Sequence, residues 1–82
     1  MSIVPRGLIV QLHNRGLADN EIARQMKQSP DVVSSCINDY ERVVSLLGQG
    51  YTVDEIGAAT GIPRAVALEY LSLAYRFNPH LK

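Results

Sequence analysis

Eight side chains that suit DNA chemistry fall in the first half of the chain, most of them around one Ser-Pro pair. They are Arg15, Arg24, Lys27, Gln28, Ser29, Ser34, Ser35 and Asn38, with Arg64 as an outlier in the second half. Arginine and lysine neutralise phosphate, while serine, asparagine and glutamine bond base edges or phosphates, and asparagine or glutamine pairs well with adenine. Other chemistry has little to work with. Cys36 is the single cysteine, so neither an internal disulfide nor a cysteine-based metal site is expected. His13 and His80 are too few and too poorly placed for a metal site or a catalytic pair. No phosphate loop, acid–base pair or nucleophile motif is present, which points to a non-enzymatic protein without cofactor, metal or small-molecule ligand.

Charge argues the other way. Eight basic residues meet eight acidic ones, for a net charge of zero. Residues 1–41 carry Arg6, Arg15, Arg24 and Lys27 against Asp19, Glu21, Asp31, Asp39 and Glu41; residues 42–82 carry Arg42, Arg64, Arg76 and Lys82 against Asp54, Glu55 and Glu69. DNA-binding proteins usually have a basic excess, because phosphate neutralisation supplies most non-specific affinity. The 82 residues, 46% hydrophobic, suit one small globular domain, residues 1–82. No apolar run approaches the roughly 18 residues of a membrane span. The N-terminus lacks a basic segment followed by an apolar core, so a cytoplasmic location is expected.

The elements that must position these residues centre on Ser29 to Gln49. Ser29 is a natural N-cap, Pro30 suits the first helical position, and Asp31 sets a negative charge at the positive helix end. Val33, Cys36/Ile37, Tyr40, Val43/Val44 and Leu47 then form one apolar stripe. The spacing predicts a long helix, with Asn38-Asp39 its weakest point and a place for a bend. Sliding the sequence on itself by 34 residues superposes Val10 on Val44, Leu12 on Leu46, Gly16 on Gly50, Glu21 on Glu55, Ile22 on Ile56 and Val32 on Val66. A duplicated three-helix unit is the simplest account.

Each unit repeats a plan. A first helix, from about Pro5 (as a first-turn proline) to Arg15 or from about Glu41 to Gln49, stops at Gly16 or Gly50. A short helix follows, Asn20 to Lys27 or Val53 to Thr60. Thr52-x-x-Glu55 is a capping box; Ala18 stands in place of that threonine, leaving Asp19 or Glu21 to cap less well. After a tight turn the third helix opens at Pro30 or Pro63. The last one continues to about Phe77 before Asn78-Pro79, and His80 to Lys82 are expected to fray. This is the helix-turn-helix pattern. It asks for a small residue in the short helix (Ala23, Gly57), a turn glycine (Gly61, with Lys27 at the matching position) and an apolar return to the core (Val33, Ala67). The expectation is an all-α tandem helix-turn-helix of five to six helices sharing a long central helix, with units at 8–40 and 42–77.

The run EIARQMKQSPDVVSSCINDYERVVSLLGQGYTVDEIGAATGIPRAVALEYL resembles the tandem helix-turn-helix region of a family of uncharacterised, mostly archaeal proteins. The motifs are the Ser-Pro turn, the I-N-D-Y-E-R-V segment, the G-Y-T-V-D-E-I turn and the E-Y-L helix, and the resemblance spans roughly residues 8–75. It implies the fold and carries no activity. A looser similarity extends to the DNA-binding regions of response regulators, sigma factors and transposases. Three residues depart from the pattern: Lys27 replaces the turn glycine, Pro63 a turn serine, and Leu68 a polar residue of the recognition helix.

If the first unit reads DNA, Gln28, Ser29, Asp31, Ser34, Ser35 and Asn38 lie on or near the outer face of its third helix, and Arg15, Arg24 and Lys27 clamp flanking phosphates. Asp31 argues against this, and the bland alternative is a solvated face. The second unit offers only Arg64 at its entrance, followed by Ala65, Leu68 and Glu69. Its last helix is apolar over most of its circumference, so self-association through Leu68, Leu71, Tyr75 and Phe77 is expected. The four tyrosines and Cys36 read as packing residues, and His13 as flanking the core. The sequence therefore favours a dimeric protein that binds double-stranded DNA, a transcriptional regulator or the DNA-binding module of a mobile-element or partition protein. The alternative is a protein-interaction module of the same fold that does not bind DNA.

Overall fold

The structure, a computed structural model, describes residues 4–81. It is all-α: α1 (Arg6–Asn14), α2 (Asp19–Met26), α3 (Pro30–Gly48), α4 (Val53–Thr60) and α5 (Arg64–Phe77), with a 3-10 turn at Pro79–Leu81 and no strand among the described residues. The chain divides into two compact units, Met1–Asn38 and Asp39–Lys82. α3 runs through Asn38-Asp39 without a break in the helix, as one element of 19 residues. No helix among the described residues is long and apolar enough to cross a membrane.

In the first unit α1 brings Ile9 and Val10 inside, α2 brings Ile22 and Ala23, and α3 brings Val33, Cys36 and Ile37. In the second unit the buried set is Tyr40, Val43, Ile56, Ile62, Ala67, Tyr70, Leu73 and Ala74. The Tyr40 and Tyr70 rings meet at 6.4 Å with planes inclined by 57°, a favourable tilted pair. Asn78 follows the last residue of α5; its side-chain amide donates to the Tyr40 hydroxyl and to the Ala74 carbonyl, both at 3.1 Å.

Helix ends follow the sequence closely. Gly16 and Gly50 adopt φ of +94° and +92°. Around each, two backbone bonds close the preceding helix: Leu17 N–H to Leu12 carbonyl with Gly16 N–H to His13, and Tyr51 N–H to Leu46 with Gly50 N–H to Leu47. These are Schellman motifs, which need a left-handed residue and so favour glycine. Ser29 caps α3 by accepting the Val32 N–H at 3.2 Å, and Pro30 is its first residue. Pro5 and Pro63 sit one position earlier than expected, as the residues before α1 and α5; their carbonyls accept from Ile9 and Ala67.

Three expectations need correction. Neither Asp19 nor Glu21 caps α2, whose N-cap is Ala18 with no side-chain bond; Asp19 accepts from Ser34, and Glu21 is taken by Arg24 and Gln25. The tail through Leu81 is not frayed: it makes the 3-10 turn, Leu81 N–H bonds the Asn78 carbonyl, and its side chain lies half-buried near Gly48. Lys82 lies outside the described residues. At Gly57 a Cβ would meet the Ile62 carbonyl oxygen at an ordinary 3.6 Å, so alanine, the small residue at the matching Ala23, has room there too. Finally, α5 is less open than its composition suggests, with Val66, Leu71, Tyr75 and Phe77 all half-buried.

The caps generate three expectations. Ala18 already has the extended backbone of an N-cap and Glu21 stands three residues on. Ala18→Thr would complete a second capping box and raise stability by about 1 kcal/mol, whereas Thr52→Ala would lower it by a similar amount, both read by urea denaturation. Gly57→Ala should stabilise by about 0.5–1 kcal/mol, as an alanine for a helical glycine with room for its methyl. The Thr52 backbone N–H, at 2.9 Å from Glu55 Oε1, and then the Thr52 hydroxyl hold the Glu55 carboxyl below its ordinary value of 4.5. A pKa depressed in the folded state means the contribution is present above the unfolded value and is lost as pH falls through the folded one. The stability gap between the native protein and Glu55→Gln should therefore shrink on acidification below about pH 4.5; a gap that widens there would contradict the assignment.

Candidate nucleic-acid interface

Lys27 sets the turn of the first unit. It ends α2 in the left-handed region, φ 55° and ψ 41°, with its own N–H and that of Gln28 both donating to the Ala23 carbonyl. A residue with a Cβ is strained there by about 1–2 kcal/mol relative to glycine. In the second unit Gly61, φ 76°, ends α4, its N–H donating to the Gly57 carbonyl. The next N–H differs: Ile62 donates to the Thr60 hydroxyl at 3.2 Å.

Beyond the Lys27 turn, Ser29, Asp31, Ser35 and Asn38 are exposed and Gln28 is half-buried. Asp31, Ser35 and Asn38 stand at spacings of four and three, so they form one solvent-facing stripe on α3. It is short, polar and carries a single charge. Ser34 is not part of it. Half-buried, it donates its hydroxyl proton to Asp19 Oδ2 at 2.7 Å and ties α3 to the start of α2. The sequence held a trace of this tie: the 34-residue shift carries Asp19 onto Val53 and Ser34 onto Leu68, a polar pair onto an apolar one.

The cations are not equivalent. Arg24 pairs with Glu21 on the exposed side of α2, and Arg64 pairs with Asp54, joining the beginnings of α5 and α4. Such exposed pairs add little to stability, but each offsets a charge that a phosphate would otherwise meet. Arg15, at the end of α1, and Lys27 are exposed and make no ion pair among the described residues. Of the residues expected at a dimer interface, Leu68 is 42% exposed, while Leu71, Tyr75 and Phe77 are half-buried. Cys36 is buried and His13 half-buried. No group of three or more His, Cys, Asp or Glu side chains among the described residues could hold a metal ion.

No curated protein and no solved structure matches the chain. A family model does, that of DUF1670, described as a protein of unknown function, over residues 1–73. That span takes in both short helices, all of α3 and most of α5. The chain belongs to the DUF1670 family.

Proposed function

We propose that the chain is a non-enzymatic, double-stranded DNA-binding protein of the tandem helix-turn-helix type, in which the first unit reads the major groove. The observation that carries this is the succession α2, left-handed turn at Lys27, and α3 with the exposed polar stripe of Ser35 and Asn38. A helix that enters the groove N-terminus first presents such short side chains to base edges. Gln28 and Ser29 stand at its entrance, Arg15 and Lys27 supply cations that have no ion pair among the described residues, and Arg24 can exchange Glu21 for phosphate. The looser similarity to the DNA-binding regions of response regulators, sigma factors and transposases supports the same reading, while the resemblance of residues 8–75 to uncharacterised, mostly archaeal proteins bears on the fold alone. Self-association through α5, with Leu68 at its centre, gives a homodimer and a pseudo-palindromic site. The role is that of a transcriptional regulator or of the DNA-binding module of a mobile-element or partition protein, acting in the cytoplasm.

A second reading has its own support. Arg24 and Arg64 are already paired with carboxylates, and the net charge is zero. Both favour a protein-interaction module that has this shape without DNA binding.

Selection from random duplex DNA, with affinity followed against salt, separates the two. Enrichment of a short sequence is expected. Ser35→Ala and Asn38→Ala should each relax one position of it, at a cost of about 1–3 kcal/mol for each lost base contact. Ser34→Ala should behave differently, lowering stability by about 1 kcal/mol through the lost bond to Asp19 while leaving the sequence preference intact. Absence of binding even at low salt would sink the DNA reading and leave the protein-interaction module.

A further inference from the structure

Among the described residues, Lys27 is the one non-glycine residue with a positive φ. Strain of this kind persists where something other than local preference selects the residue. The second unit shows that the turn does not need a lysine, since Gly61 makes it with no such strain. Nor does Lys27 serve the fold through its side chain: it is exposed and has no ion pair among the described residues.

A second difference between the units falls beside the first. Asp31, in the first turn of α3, is exposed and likewise makes no ion pair among the described residues. The matching residue under the 34-residue shift is Ala65, and α5 begins with no acid in its first turn. The acid is thus not a requirement for starting such a helix. Lysine and aspartate are present together in the first unit and absent together from the second. Asp31 would be the first side chain of α3 to repel a phosphate, and Lys27 is the cation nearest to it in sequence.

We infer that Lys27 is kept in the left-handed turn for its charge, where it offsets Asp31 and takes a backbone phosphate of duplex DNA at the mouth of α3. This rests on the DNA-binding reading and adds to it a division of labour: Lys27 sets affinity for any duplex, and the Ser35–Asn38 stripe sets preference. A flexible ammonium serves as a point charge on phosphate and carries no base information. The site therefore trades stability for affinity.

The decisive variant is Lys27→Gly, measured for thermal stability and for binding to the selected duplex and to a scrambled one across a salt series. The melting temperature should rise by several degrees, because glycine relieves the strain. Affinity should fall for both duplexes by the same factor, and the slope of log affinity against log salt should shrink by about 0.9, one phosphate contact. Adding Asp31→Ala to Lys27→Gly should recover much of the lost affinity. A higher melting temperature with unchanged affinity and salt slope would overturn the inference while leaving DNA binding standing. So would an unchanged melting temperature, which would remove the strain premise. If the native protein binds neither duplex at low salt, the DNA reading and this inference fall together.

Discussion

An eight-residue helix cannot hold itself together in water, and both units of this protein depend on one. Nucleation of a helix is unfavourable, and so short a segment gains too few hydrogen bonds to offset it. α2 and α4 are eight residues each, and each has one large apolar side chain fully inside, Ile22 and Ile56, both 0% exposed. Burying such a side chain contributes about 1.5–3 kcal/mol, so the remainder must come from closing the helix ends and from neighbours. The two units solve this differently. The second caps α4 with the reciprocal Thr52–Glu55 bonds and ends it with a glycine. The first has an uncapped Ala18 and a strained Lys27, and ties α2 to α3 through Asp19 and Ser34. By local rules the first unit is the less well-made of the two, and it carries the polar stripe. That coincidence is what a site that serves function at the expense of stability would produce.

Much of this was legible in the residues. Gly16 and Gly50 stop helices because only a left-handed residue closes a Schellman motif, and the chain puts glycine at both. Ser29-Pro30-Asp31 and Thr52-x-x-Glu55 announce the starts of α3 and α4 because capping is local chemistry. What could not be read was tertiary. Ser34 sits at a spacing that puts it near the outer face of α3, yet its proton goes to Asp19, fifteen residues earlier. The tail from Pro79 looked free because spacing shows neither its 3-10 turn nor the half-buried place of Leu81 near Gly48. The candidate site was half legible: the polar stripe follows from helical spacing, but the pairing of Arg24 and Arg64 with acids depends on rotamers.

Those pairs bear on function through charge alone. A balanced chain binds a polyanion only if its cations are unevenly placed or its acids are answered locally. In the second unit Asp54 answers Arg64, the one cation in the first turn of α5. In the first unit Arg15 and Lys27 make no ion pair among the described residues, while Glu21 is engaged. Zero net charge is therefore compatible with one unit that meets DNA and another that does not, and α5 with its exposed Leu68 is then available for a second copy.

Backbone amide shifts followed by NMR during titration with duplex DNA at low salt give the most direct view of which surface is used. The account requires the perturbed amides to run from Lys27 to Asn38, with those of Arg64 to Phe77 unmoved. Shifts confined to α5, or none at all, would contradict it.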